Sequence, residues 1–202
     1  MRVVAATAIL FASISVIAVS AAFRPREPLL AVGQPAASAA PGRVALTAAE
    51  EREALATGHF ARPVATLLDI PTPLHYGELR WNEDGARPGR GWVSVDLQRQ
   101  MLSVFRGSDE IGAAVILYGS HSTATPIGSF RILGKLRDHR SATYGGAQMP
   151  YTLKLTLDGV SIHGSNVRDG YATHGCIGVP VDFAAKLFRA ASTGDEVIIS
   201  AG

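Results

Sequence analysis

Apolar and polar positions alternate from Trp92 onwards and rarely before it. In Trp92–Leu97, Val93, Val95 and Leu97 share one side while Ser94 and Asp96 take the other. That period of two predicts a strand. Met101–Phe105 follows after the polar Gln98-Arg99-Gln100, which predicts a hairpin. Ile111–Tyr118 is a third, more continuously apolar strand, and Phe130–Leu133, Tyr151–Thr156 and Gly159–Ile162 are shorter ones. A helical period appears only after residue 180. Phe183, Ala184, Leu187, Phe188 and Ala191 fall on one face, with Asp182, Lys186 and Arg189 opposite and Pro180 suited to the first helical position. Glu196–Ser200 closes as a strand. Residues 91–202 therefore predict a mostly β domain with one packed helix.

The first 90 residues read differently. Met1-Arg2, the apolar stretch from Val3 to Val19 and the small residues Ser20-Ala21-Ala22 form an export signal or an N-terminal anchor over 1–22, which places the rest of the chain outside the cytoplasm. Residues 24–42 are rich in Pro, Ala, Gly and Ser and predict a tether. Thr47 and Glu50 make a capping box, so a short helix is expected from Ala48 to about Thr57, ending at Gly58. Pro71 and Pro73 argue against any regular element in Leu67–Leu74. The segment 23–90 is thus expected to be a flexible tether with a short helical arm. The formal charge of +2 is nearly neutral, and the basic residues are scattered, which excludes a nucleic-acid binder.

The chemistry concentrates in two short runs. Cys176, the single cysteine, lies in Thr173-His174-Gly175-Cys176, thirteen residues after His163-Gly164-Ser165. Without a second cysteine it forms no internal disulfide, and a free thiol in an exported chain is a liability tolerated for chemistry. An ordinary cysteine is only a few per cent thiolate at neutral pH, so it needs a base. His163 and His174 are the candidates. His174, two residues from the sulfur, lines its pocket or touches it; His163 approaches from another direction, as a base requires. The N–H groups of Gly175 and Cys176 are natural donors to an oxyanion. Orientation of His163 is left open between a carbonyl of Gly164 or Ser165 and the carboxylate of Asp169. His163, His174 and Cys176 are also residue types that zinc accepts, but no His-Glu-x-x-His spacing accompanies them, and neither metal nor cofactor is expected. His59, His75 and His139 are expected in loops, solvated and without chemical neighbours, and His121, in a loop that can reach the same cleft, is expected at the surface.

Taken in order, Thr125–Phe130, Met149-Pro150-Tyr151, Val160–Ser165 and Thr173–Ile177 resemble the motifs of YkuD-type L,D-transpeptidases, over about residues 91–202. The resemblance implies a β-sandwich or mixed-sheet catalytic domain in the periplasm or cell wall. It implies Cys176 as nucleophile, His163 as base oriented by the carbonyl of the next residue, and His174, Gly175, Gly164, Ser165 and Tyr151 shaping the oxyanion and donor pocket. The substrates implied are peptidoglycan stem peptides, as donor and acceptor: D-Ala leaves the donor and a 3→3 link forms through a thioester, with no cofactor. A hydrolysing L,D-carboxypeptidase, a wall-protein-attaching enzyme with the same chemistry, and a non-catalytic peptidoglycan-binding module are the alternatives. A membrane tether follows if the signal is not cleaved. Two positions depart from the family pattern: Thr173 stands for Ser before the histidine, and Gly178 for Arg after the cysteine. Arg168 is the candidate replacement for that charge.

Overall fold

The computed structural model of the chain describes residues 39–120 and 123–202. The export signal or anchor, the start of the tether and His121 lie outside the described residues. Among the described residues no helix is long and apolar enough to cross a membrane.

Two sheets share the domain. The larger contains β1 (Arg43–Ala45), β2 (Thr66–Leu68), β6 (Asp109–Val115), β5 (Met101–Arg106), β4 (Gly91–Asp96), β12 (Glu196–Ser200) and β7 (Gly128–Arg131) in that order, with β3 (Leu79–Trp81) also paired to β6. The smaller runs β11 (Ile177–Pro180), β10 (Ser161–Ser165), β9 (Gln148–Lys154), β8 (Gly134–Arg140). Helix α2 (Val181–Ala190) follows β11 directly and packs on β9 and β10. Its Phe183, Ala184 and Leu187 join Val93, Val104, Ile111, Leu153, Ile162 and Val197 in one core. Each fully buried side chain of this size contributes roughly 1.5–3 kcal/mol. The predicted hairpin is β4–β5, paired antiparallel from Gly91↔Arg106 to Asp96↔Met101. The fold is mostly β, as the alternation predicts.

The described part of the arm packs on the larger sheet. Its capped helix α1 (Ala48–Ala56) forms with the expected capping box but buries no residue; of the two helices among the described residues only α2 packs in the core. Either side of α1 the chain adds strands β1–β3 to the larger sheet, although β2 overlaps the stretch in which prolines argued against an element. Pro71 and Pro73 lie beyond its last residue, Leu68. Phe60 and Val64 of this arm cover Trp92 and Phe105, whose rings stack at 4.2 Å. Strand β6, paired to β5 on one side and to β2 and β3 of the arm, is buried along its whole length. Its two acids need partners there. Burial opposes the charge of Asp109, but the guanidinium and main-chain N–H of Arg87 and the hydroxyl of Thr66 hold its pKa down to about 2.

Arg43 fastens the arm. Its guanidinium, on a residue only 7% exposed, donates to the carbonyls of Asp84, Asn82 and Glu110 and to the Thr66 hydroxyl. Arg43→Ala leaves three carbonyls without their donor, at an expected cost of about 3 kcal/mol. Urea denaturation should show this loss, with no change for Arg52→Ala on the exposed side of α1. Equal midpoints would mean the arm contributes nothing to the fold.

Candidate active site

The site grows from the pairing of β10 with β11. These strands are parallel, with Ile162 opposite Ile177 and His163 opposite Gly178. Alternation on β10 sends Ile162 into the core, while Ser161, His163 and Ser165 point away from α2. Gly164 faces the helix, where a Cβ would meet Pro150 Cγ at 3.0 Å and Ala184 Cβ at 3.4 Å. On β11, Ile177 and Val179 are fully buried. Cys176, immediately before the strand, falls on the same face as His163.

His163 is 9% exposed. Its Nδ1 lies 3.0 Å from the Gly164 carbonyl oxygen. A carbonyl only accepts, so Nδ1 carries the proton and Nε2 keeps its lone pair. Of the orienting groups left open by the sequence, Gly164 holds the ring; Asp169 instead bonds the N–H of Gly170. Burial, opposed by the Gly164 bond and reinforced by His139, pulls the His163 pKa below its ordinary value. Burial also pushes the Cys176 thiol up, with the main chain of Ser161 acting the other way. The resting pair is therefore a neutral imidazole and a neutral thiol. The thiol donates to the Gly159 carbonyl at 3.7 Å.

The loop before Cys176 is set by three features. Thr173 Oγ1 donates to the Cys176 carbonyl at 2.5 Å, and the Thr173 main chain bonds Tyr118 and Ser120. Gly175 has φ +103°, open to glycine but strained for other residues. Among the described residues the N–H groups of His174, Gly175 and Cys176 donate to no protein acceptor, which leaves adjacent donors beside the sulfur.

Two cavities meet at Cys176. The larger, about 430 Å³, extends past Gly159, Ser161 and Lys154; the smaller, about 200 Å³, is bounded by His163, Ser165 and Thr173. His174 and Tyr144 line both, their rings stacked at 4.2 Å. His174 is thus a wall. Among the described residues no cluster of three or more His, Cys, Asp or Glu is arranged to hold a metal.

Two expectations are corrected. Tyr151 lines neither cavity. Its φ of +57° interrupts the alternation of β9 and turns its ring onto Phe188 of α2, while Met149 takes a place in both cavities. Arg168 also lines neither cavity; it is exposed, with Nε bonded to Asn166. Nor does Gly178 leave room for a side chain, since a Cβ there would meet Ser165 Cβ at 2.9 Å. Tyr144, Lys154 and Gly159 escaped the sequence reading. Tyr144 and Gly159 lie in irregular turns, and the exposed-looking Lys154 acquires its place only through strand register.

Residues 90–199 match the YkuD family, described as the L,D-transpeptidase catalytic domain. Among solved structures, the Ldtfm–avibactam carbamoyl enzyme is 25% identical, with a TM-score of 0.51 over 55% of this chain and 49% of that one. The Stackebrandtia nassauensis L,D-transpeptidase is 24% identical, with a TM-score of 0.51 over 59% of this chain and 60% of its own. A mutant Enterococcus faecium L,D-transpeptidase is likewise 24% identical, with a TM-score of 0.51 over 56% and 50%. The chain thus spans about half to three-fifths of these relatives. No curated protein sequence matches it. The fold is that of an L,D-transpeptidase catalytic domain. With more than half its length matched, the chain belongs to the YkuD family of L,D-transpeptidase catalytic domains.

Proposed function

We propose that this protein is an exported peptidoglycan L,D-transpeptidase that forms 3→3 cross-links through a Cys176 thioester. One observation carries the reading: His163, tied by Nδ1 to Gly164, shares the smaller cavity with Cys176 and keeps Nε2 free to take its proton. The N-terminal pattern of a basic start, an apolar stretch and small residues supports export to the periplasm.

The chemistry follows in two halves. Cys176 Sγ gives its proton to His163 Nε2 and attacks the carbonyl carbon joining the third stem residue to D-Ala. The N–H groups of Gly175 and Cys176 receive the oxyanion. The C–N bond breaks, His163 returns the proton to the departing amine, and D-Ala leaves a thioester. An amine of a second stem then attacks the thioester carbonyl, gives its proton to His163, and displaces the sulfur, which is reprotonated. The energy of the broken amide is retained in the thioester, so no nucleotide is required.

His163 assigns the two cavities. It lines the smaller and not the larger, and it must exchange a proton with both the leaving and the entering amine. D-Ala and then the acceptor amine therefore use the smaller cavity, whose volume of about 200 Å³ suits a single residue. The donor stem up to its third residue occupies the larger one.

Incubating the protein with tetrapeptide stems and weighing the products tests this. Dimers shortened by one D-Ala are expected. Shortened monomers alone would establish a hydrolase, and unchanged stems would remove the enzymatic reading.

A further inference from the structure

We infer that the larger cavity recognises the charged end of a diaminopimelate side chain on the donor stem, with Lys154 taking its carboxylate and Asp158 its ammonium group. The inference rests on the function proposed above and specifies its donor.

Among the described residues Lys154 is the only Lys or Arg lining either cavity at Cys176, and Asp158 the only Asp or Glu. This contrast follows from Gly178. The family's usual arginine is missing at that position, Ser165 fills the space a side chain would need, and Arg168 lies elsewhere. Lys154 ends β9 directly opposite Ser161, two residues before His163 on β10. Residues paired in this way share a face, so the Lys154 side chain leaves the sheet on the same side as Ser161 and His163. Leu153, its neighbour, points the other way into the core, 1% exposed.

Neither charge is engaged within the protein. Among the described residues no hydrogen bond or ion pair involves the Lys154 ammonium or the Asp158 carboxylate; all five ion pairs lie elsewhere. The remaining lining includes Leu136, Tyr144, Met149 and Leu157. Beside them His139, Ser141 and Thr143 are polar, so a partly apolar cavity carrying one lysine and one aspartate complements a side chain with methylenes and a terminal amino-acid group. The side chain of diaminopimelate has that form. Lysine has the methylenes and the ammonium but no carboxylate, so it leaves Lys154 unpaired.

Binding to protein carrying Cys176→Ala isolates recognition from turnover. Calorimetry with two tetrapeptides, differing only in diaminopimelate or lysine at the third position, is expected to show the first binding about tenfold to a hundredfold more tightly, the worth of one charge-assisted contact. Adding Lys154→Met should remove that preference by weakening only the diaminopimelate stem, and Lys154→Arg should restore most of it. Asp158→Asn should weaken both stems, since both carry the ammonium. Equal binding of the two stems, no binding of either, or a preference that survives Lys154→Met overturns the inference. The functional reading is judged separately: a preference seen in binding with no product from the wild-type protein would overturn the transferase and leave this recognition standing.

Discussion

Replacing Cys176 with alanine is expected to abolish covalent capture of an acyl donor and to lower transfer by more than about 10⁴-fold. Intact-protein mass spectrometry after exposure to a tetrapeptide stem or a carbapenem reads the first effect, and dimer yield reads the second. The fold should survive. The sulfur meets main-chain groups only, in the long contact to the Gly159 carbonyl and beside Ser161, while the loop is held by Thr173 and by the φ of Gly175. Thermal denaturation should therefore register a change of about 1 kcal/mol or less. Cys176→Ser is the sharper companion, since it keeps the shape of the loop while replacing the thiol with a far weaker acid. Transfer close to wild type in either variant would exclude the thioester.

The fold is most legible in the sequence where local patterns decide structure. The capping box of Thr47 and Glu50 makes α1, and alternation makes β4 and β5, because each is specified by residues a few positions apart. The edge strand β8 contains Arg137, Asp138, His139 and Arg140 in a mostly exposed run; charge blunts such an edge, and the same charge hides it from an apolar pattern. Strands β1, β2 and β3 are only three residues each, too short to show a period. They exist because Arg43 and the Phe60–Trp92–Phe105 cluster hold the arm against the sheet. In the candidate site, residue type and spacing single out Cys176 and His163, which line one cavity. Tyr151 was misplaced because a positive φ on a non-glycine residue reverses its side chain, and nothing in the local pattern announces that. Lys154 and Gly159 became visible only once β9 and β10 were in register.

That register also explains how one histidine serves both halves of the proposed reaction. The parallel pairing of His163 with Gly178 fixes the relation between imidazole and thiol through two main chains rather than two mobile side chains. The Gly164 carbonyl, on the next residue, then fixes the tautomer. Burial keeps both groups neutral at rest, so charge is created only when substrate arrives. A thiol held un-ionised also reacts slowly with oxidants.

His163→Gln is the corresponding test of the base. Glutamine offers no nitrogen lone pair to accept the thiol proton, and acylation at neutral pH is expected to fall by about 10²–10⁴-fold. The pH dependence identifies the cause. In the wild type His163 must be unprotonated; its pKa is lowered by burial and by the neighbouring His139, so the acidic limb of the acylation rate should fall below the ordinary histidine value of about 6.5. Activity is then retained through mildly acidic pH. In His163→Gln the thiolate must instead form by loss of a proton to solvent. The Cys176 pKa is raised by burial, so that rate should climb about tenfold per pH unit through neutrality and continue past the ordinary cysteine value of about 8.5. A variant whose rate is uniformly low, with the wild-type pH profile, would show that His163 only shapes the pocket and would return the role of base to His174.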